Sequence, residues 1–228
     1  MKFTDSPVTE LPIKDKLLSI QQDNGSMHVG TSVWPCSLIL SKFADRWSSA
    51  TAETTNPYSA ILNFSATPRR RGIEIGTGCG VAGMAFYLLG LTDIILTDIA
   101  PVMPALKHNL KRNKQTLGKM LKTSILYWNN KDQLTALNPP FDVVIATDVV
   151  YIEESVRDLV TVMDDLVAEN GVILLGYQLR SPEADKKFWE ICIEVFEIEK
   201  VPHEDLHPDY AYEETDVFIF RKKKKITV

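Results

Sequence analysis

From Arg71 onward, short apolar runs alternate with stretches in which apolar residues recur every three or four positions. The runs are RGIEI from Arg71, DIILTD from Asp93, KTSILYW from Lys122, FDVVIATD from Phe141 and GVILLGYQL from Gly171. Each is short enough for a strand. Between them Val81 to Leu89, Val102 to Asn113, Glu153 to Ala168 and a stretch from Pro182 carry the helical spacing. Strand and helix in regular alternation predict an α/β fold with a parallel sheet wound on both faces. The alternation then breaks. FEIEKV from Phe196 and DVFIFR from Asp216 are separated only by the polar stretch PHEDLHPDYAYEET, which predicts an antiparallel hairpin at one sheet edge.

Ahead of this core, LLSIQQ from Leu17 reads as a short strand. In SVWPCSLILSKFADRW, Pro35 suits a helix start and Leu38, Ile39, Phe43 and Trp47 share roughly one face. SSATAETTNP from Ser48 reads as an exposed loop. The expected organisation is one domain over 1–228, with residues 1–70 as an extension and helix packed on a core of 71–228.

Composition narrows the classes. With 228 residues, 45% of them hydrophobic and 24% charged, the chain can bury a sizeable core. A net charge of −5 argues against reliance on non-specific phosphate binding, so no nucleic acid is expected. The apolar runs fall short of the roughly 20 residues that span a bilayer, and the N-terminus is charged where a secretory signal would be apolar. A cytoplasmic protein is expected, with the nucleus as the other location, no membrane partner and a monomeric state. Cys36, Cys79 and Cys192 are too scattered for a disulfide framework, and the four histidines lack ligand spacing, so no metal is expected. RKKKK at Arg221 to Lys225 reads as a solvated run at a chain end.

The glycines after the first core strand carry the chemistry. Gly76, Gly78 and Gly80 stand between a strand and a helix, where bare backbone and outward amides can hold a nucleotide. Read from Gly78, the spelling Gly78-x-Gly80-x-x-Gly83 also fits a dinucleotide fingerprint. Glu74 argues against that register, because a carboxylate beside a pyrophosphate is an electrostatic clash. S-adenosylmethionine has no phosphate and carries a sulfonium and an ammonium. The other reading of Glu74 is a carboxylate that merely caps an amide. Asp98 ends the second strand, roughly 20 residues after the glycines, where a carboxylate can accept both ribose hydroxyls. Trp128, read as the end of the third strand, can stack on adenine at the carboxyl edge of the sheet. NPPF at Asn138 has the spelling of an amide-receiving motif, but it precedes its strand and so reads as a turn.

ATDVVYIEE, at the far end of that strand, sets Asp148 and Tyr151 three residues apart, on one side if the chain turns helically there. This Asp-x-x-Tyr resembles the signature of the non-histone protein-lysine methyltransferases, the methyltransferase-like group called family 16. SVWPCSLIL, EIGTGCGVAG, LTD at Leu96, LYW at Leu126 and YQLR at Tyr177 follow the same family in the same order. The hairpin agrees with its Rossmann-like, seven-stranded sheet. The resemblance implies S-adenosylmethionine as cofactor, a protein presenting a lysine as substrate, and cofactor contacts from Trp34, Gly76, Thr77, Gly78, Asp98, Trp128 and Thr147. Many relatives have Ala where this chain has Thr147.

On this reading Asp148 captures and aims the lysine, and Tyr151 lines its channel. The alternative is that Asp148 caps the helix entered at EESVRDL. Other functions stay open at this point: a small-molecule methyltransferase, a catalytically silent adaptor on the same fold or, more distantly, a dehydrogenase.

Overall fold

The computed structural model describes residues 6–23, 25–48, 56–64 and 69–224. SSATAETTNP lies mostly outside the described residues. The core strands are β3 (Arg71–Ile75), β4 (Asp93–Asp98), β5 (Lys122–Ile125), β6 (Phe141–Thr147), β7 (Val167–Tyr177), β8 (Phe196–Lys200) and β9 (Asp216–Lys222). They form one seven-stranded sheet in the order β5-β4-β3-β6-β7-β9-β8. β3 to β7 pair in parallel, and β9 runs antiparallel to both β7 and β8. The expected terminal hairpin is therefore present. The strand order reverses between β3 and β6, which opens a crevice at their carboxyl ends.

Two apolar layers hold the sheet. One carries α1 (Pro35–Ser48), the short α2 (Ser59–Leu62) and α3 (Val81–Leu88), which bury Phe43, Phe86 and Leu38 against it. The other carries α7 (Val156–Leu166) and α8 (Pro182–Val195), which bury Met163, Leu166 and Phe188. α4 (Met103–Arg112) and α5 (Lys114–Leu117) follow β4, and α6 (Lys131–Ala136) follows β5. No helix among the described residues is long and apolar enough to cross a membrane.

Four details depart from the sequence reading. First, the predicted strand at Leu17 is β2 (Lys16–Gln21), but it pairs with an unforeseen β1 (Val8–Ile13) as a separate hairpin. Two asparagines one helical turn apart bind the backbone of β2. Asn109 Oδ1 accepts from Gln21 N at 2.8 Å and its Nδ2 donates to Gln21 O at 3.0 Å, and Asn113 does the same with Ser19 at 2.9 and 2.8 Å. The amides thus continue a ladder that would otherwise end at an open edge. Second, β5 stops at Ile125, so Trp128 lies in the following loop and does not end a strand. Third, β7 begins at Val167, so Ala168 is strand and not helix, and a register shift between Phe141 and Val143 absorbs the extra residues. Fourth, Arg221 and Lys222 belong to β9 and pair with Glu199 and Asp164, so that end of the basic run is not simply solvated.

Candidate active site

A cavity of about 670 Å³ opens at the carboxyl ends of β3, β4, β5 and β6, a size suited to a nucleotide-sized ligand. Its floor is the loop after β3. Gly78 has φ +55°, and a Cβ there would lie 2.8 Å from the Gly30 carbonyl oxygen, so both conformation and space require glycine. Gly76 has φ +61°, and its added Cβ would lie 2.8 Å from Val149 Cγ1.

Asp98, the last residue of β4, fastens this loop. Its Oδ2 accepts from Gly78 N at 2.7 Å and its Oδ1 from Ile99 N at 2.7 Å. Burial raises its pKa, while the two backbone hydrogen bonds oppose that rise. Each oxygen keeps lone-pair capacity toward the cavity that Asp98 lines. Trp128 and Trp34 contribute aromatic surface, and Trp34 is oriented by its Nε1 donating to Val29 O at 2.9 Å.

Glu74 is corrected by the structure. It is fully buried and does not line the cavity. Its Oε2 accepts from Gly83 N at 2.9 Å and from the Thr77 hydroxyl, which is the amide-capping alternative. It binds the start of α3 to the loop from below. Burial pushes its pKa up to about 8, against the pull of those two hydrogen bonds. A folded-state pKa above the ordinary value of 4.5 means that the folded chain holds the proton longer. The corresponding stability is complete below about 4.5 and is lost as pH rises to about 8. Glu74→Gln, which cannot ionise, should therefore show a shallower fall in denaturant midpoint across this window than the wild type. Parallel slopes in the two proteins would assign the titration to another group.

Asp148 stands past the end of β6 with φ +59°, a left-handed conformation that aspartate tolerates, and its N–H donates to Gly176 O at 2.9 Å. No helical turn connects it to Tyr151. The chain between them is irregular, and the 3-10 turn of Glu153–Ser155 begins only later. Both side chains nevertheless line the cavity. Nor does Asp148 cap the following helix, for neither that turn nor α7 has a side-chain cap. Its carboxylate is engaged by Arg180: Nε to Oδ1 at 2.8 Å and Nη2 to Oδ2 at 2.5 Å, a bidentate pair. The side chains are only 15% and 5% exposed. The guanidinium also lies over the Trp34 ring, 4.9 Å from its centroid. Tyr151 remains 41% exposed, and burial together with the charges of Asp98 and Asp148 raises its phenol pKa.

The cavity thus brings together Trp34, Gly76, Thr77, Gly78, Asp98, Trp128, Thr147, Asp148 and Tyr151, leaving Glu74 outside. Arg180 and the Met27–Gly30 segment are the participants that the sequence reading passed over. YQLR is visible in the sequence as a motif. Its position at the carboxyl end of the strand next to Asp148 was the available signal that its arginine faces the site. Asn138, by contrast, lies before β6, away from the cavity, and its carbonyl accepts from Arg71.

Comparison with known proteins shows the family and the fold. Residues 13–194 match the profile of a family described as lysine methyltransferase. Protein N-lysine methyltransferase METTL21A of Mus musculus is 25% identical over 223 residues, covering 96% of this chain and 88% of the relative. Protein-lysine N-methyltransferase EFM6 of Saccharomyces cerevisiae is 28% identical over 240 residues, covering 94% and 91%. Among solved structures, the CurJ carbon methyltransferase superposes with a TM-score of 0.54 at 14% identity, over 84% of this chain and 62% of that one. A TehB-like SAM-dependent methyltransferase from Corynebacterium glutamicum gives 0.50 at 18% identity, over 81% and 98%. At such identities the structural likeness concerns the fold alone.

Proposed function

This chain belongs to the lysine methyltransferase family, and from that premise we propose that it is an S-adenosylmethionine-dependent protein-lysine N-methyltransferase acting on a non-histone protein. The observation that carries the reading is one cavity with two distinct parts. A loop that only glycine can form is fastened by Asp98 on one side, and Asp148 with Tyr151 stands on another. The first part fits the cofactor. Asp98 has lone pairs for the ribose hydroxyls, Trp128 an aromatic face for adenine, and Gly76 to Gly78 bare backbone for close approach, with Trp34 and Thr147 beside them. When bound, the cofactor supplies a methyl group on a sulfonium, open to in-line attack by a nitrogen lone pair.

The chain's own residues must then present a lysine with that lone pair free. An unperturbed lysine has a pKa of about 10.4 and is charged at neutral pH, so the site must favour the amine. The apolar walls do so by withholding solvation from the ammonium. Asp148 accepts an N–H of the incoming nitrogen and so aims it, and Tyr151 flanks the same nitrogen. The proton leaves to water through the open mouth. That mouth is edged by exposed apolar side chains, Met27 at 95% and Ile152 at 45% among them, which suits a protein segment better than an enclosed small molecule. The reading includes a monomer working in the cytosol or nucleus, with neither nucleic acid nor membrane as partner.

Incubation with methyl-labelled S-adenosylmethionine and a cytosolic extract, followed by separation of macromolecules from small molecules, tests it. Label should accumulate in the protein fraction. Label recovered only in the small-molecule fraction would favour the small-molecule enzyme, and no transfer despite cofactor binding would favour the silent adaptor.

A further inference from the structure

Asp148 does not meet its substrate as a bare carboxylate. Both of its oxygens already receive guanidinium N–H groups, at 2.8 and 2.5 Å. Arg180 is held on its other face by the Trp34 ring at 4.9 Å. We infer, resting on the lysine methyltransferase reading, that Arg180 is a positioning residue that cancels the charge of Asp148, so that the site aims the substrate nitrogen as a neutral amine without trapping it as an ammonium.

The chemistry demands such a device. A carboxylate within about 4–6 Å of a lysine raises the amine's pKa by roughly 1–3 units, and a protonated nitrogen has no lone pair to attack with. An aspartate that only captured lysine would hold it in the unreactive form. Pairing with a fixed guanidinium removes most of that bias. It leaves the carboxylate's remaining lone pairs to accept an N–H, since each oxygen can accept more than one hydrogen bond. Arginine suits the task better than lysine would, because its planar fork spans both oxygens and keeps its charge at any working pH. The Trp34 contact fixes the plane of that fork at a wall of the same cavity.

The other titratable groups around the pair are Cys36 on α1, Asp98 at the end of β4 and Glu214 before β9, with His28, Tyr151 and Asp158 on the cavity wall. Burial foremost, and Asp148 next, hold the Cys36 thiol well above its ordinary range, so it stays neutral beside the pair. These groups are common to the wild type and to the variants below, so a difference between them reports on position 180.

The test measures initial rates of label transfer from methyl-labelled S-adenosylmethionine to lysines of cytosolic extract protein, from about pH 6 to pH 10, at several extract concentrations. Wild type is compared with Arg180→Gln, Arg180→Met and Arg180→Lys, each checked for folding by thermal melting and for binding of S-adenosylhomocysteine. The two neutral variants should shift the acid limb of the saturated rate upward by about one unit or more. Near neutrality their rate should fall by about tenfold while the extract concentration giving half-maximal rate also falls. The rate should recover toward wild type at high pH, and Arg180→Lys should hold the limb near its original place. The methionine variant keeps an unbranched stem for Trp34, so the comparison stands if the glutamine variant fails to fold. A rate depressed equally at every pH, or a lysine variant as impaired as the neutral ones, would overturn the inference while leaving lysine methylation intact. Absence of lysine labelling by the wild type at any pH would overturn both.

Discussion

Replacing Asp148 with asparagine should lower methyl transfer by about two to three orders of magnitude while leaving cofactor affinity within a few-fold of the wild type. The substitution preserves size, and the Asp98 anchor of the glycine loop makes no hydrogen bond to Asp148, so the cofactor cradle should persist. Two things are lost. The aiming oxygen becomes either a weaker neutral acceptor or an N–H donor that faces the amine wrongly. Arg180, only 15% exposed, is left with a positive charge and no counter-charge at hydrogen-bond distance. Breaking one side of a buried ion pair costs about 3–5 kcal/mol where solvent cannot intervene, and somewhat less here because Arg180 keeps partial access to water. A lowered melting temperature should therefore accompany the lost rate. Calorimetric titration with S-adenosylhomocysteine separates the two effects. A variant that binds the cofactor and transfers methyl at the wild-type rate would remove Asp148 from the chemistry.

Asp98→Ala should act on the other part of the cavity and weaken cofactor binding by about a hundredfold. The carboxylate has two duties, toward the ribose in the proposed complex and toward the protein. Removing it deprives Gly78 N and Ile99 N of their acceptor, each previously bonded at 2.7 Å. A buried donor left unsatisfied costs about 1–3 kcal/mol. The loop after β3 holds positive φ angles at Gly76, Gly78 and Gly80, and losing its fastening to the β4 terminus frees it to relax. Asp98→Asn should be milder, since one oxygen can still accept from Gly78 N. Calorimetry on both variants checks this ranking, and an alanine variant that binds as tightly as wild type would show that neither duty matters.

Much of the sheet was legible because each core strand is a short apolar run bounded by polar or glycine residues, a pattern that depends little on tertiary context. β1 was not. VTELPI contains Pro12, and the hairpin it forms with β2 is completed by Asn109 and Asn113, which lie about ninety positions away in the sequence. The same distinction runs through the site. Asp98, the glycine loop and Asp148 follow from strand ends, which sequence marks well. Which way Glu74 points does not follow. The absence of a Cβ at Gly83 admits its carboxylate beneath the loop, where a Cβ would sit 2.5 Å from Oε2. The spacing puts Asp148 and Tyr151 on one side only if the chain turns helically, whereas the left-handed backbone of Asp148 directs it toward Arg180 in the loop after the neighbouring strand. Spacing along one segment cannot reveal a partner supplied by another.

The most direct test of the central claim is identification of the atom that receives the methyl group. Extract proteins labelled by the wild type, and in parallel by Asp148→Asn, would be digested and the modified residues located by tandem mass spectrometry. The account predicts label on the side-chain nitrogen of one or a few lysines, absent when the variant is used. Label on other residue types, or the same lysines modified to the same extent by both proteins, would contradict it.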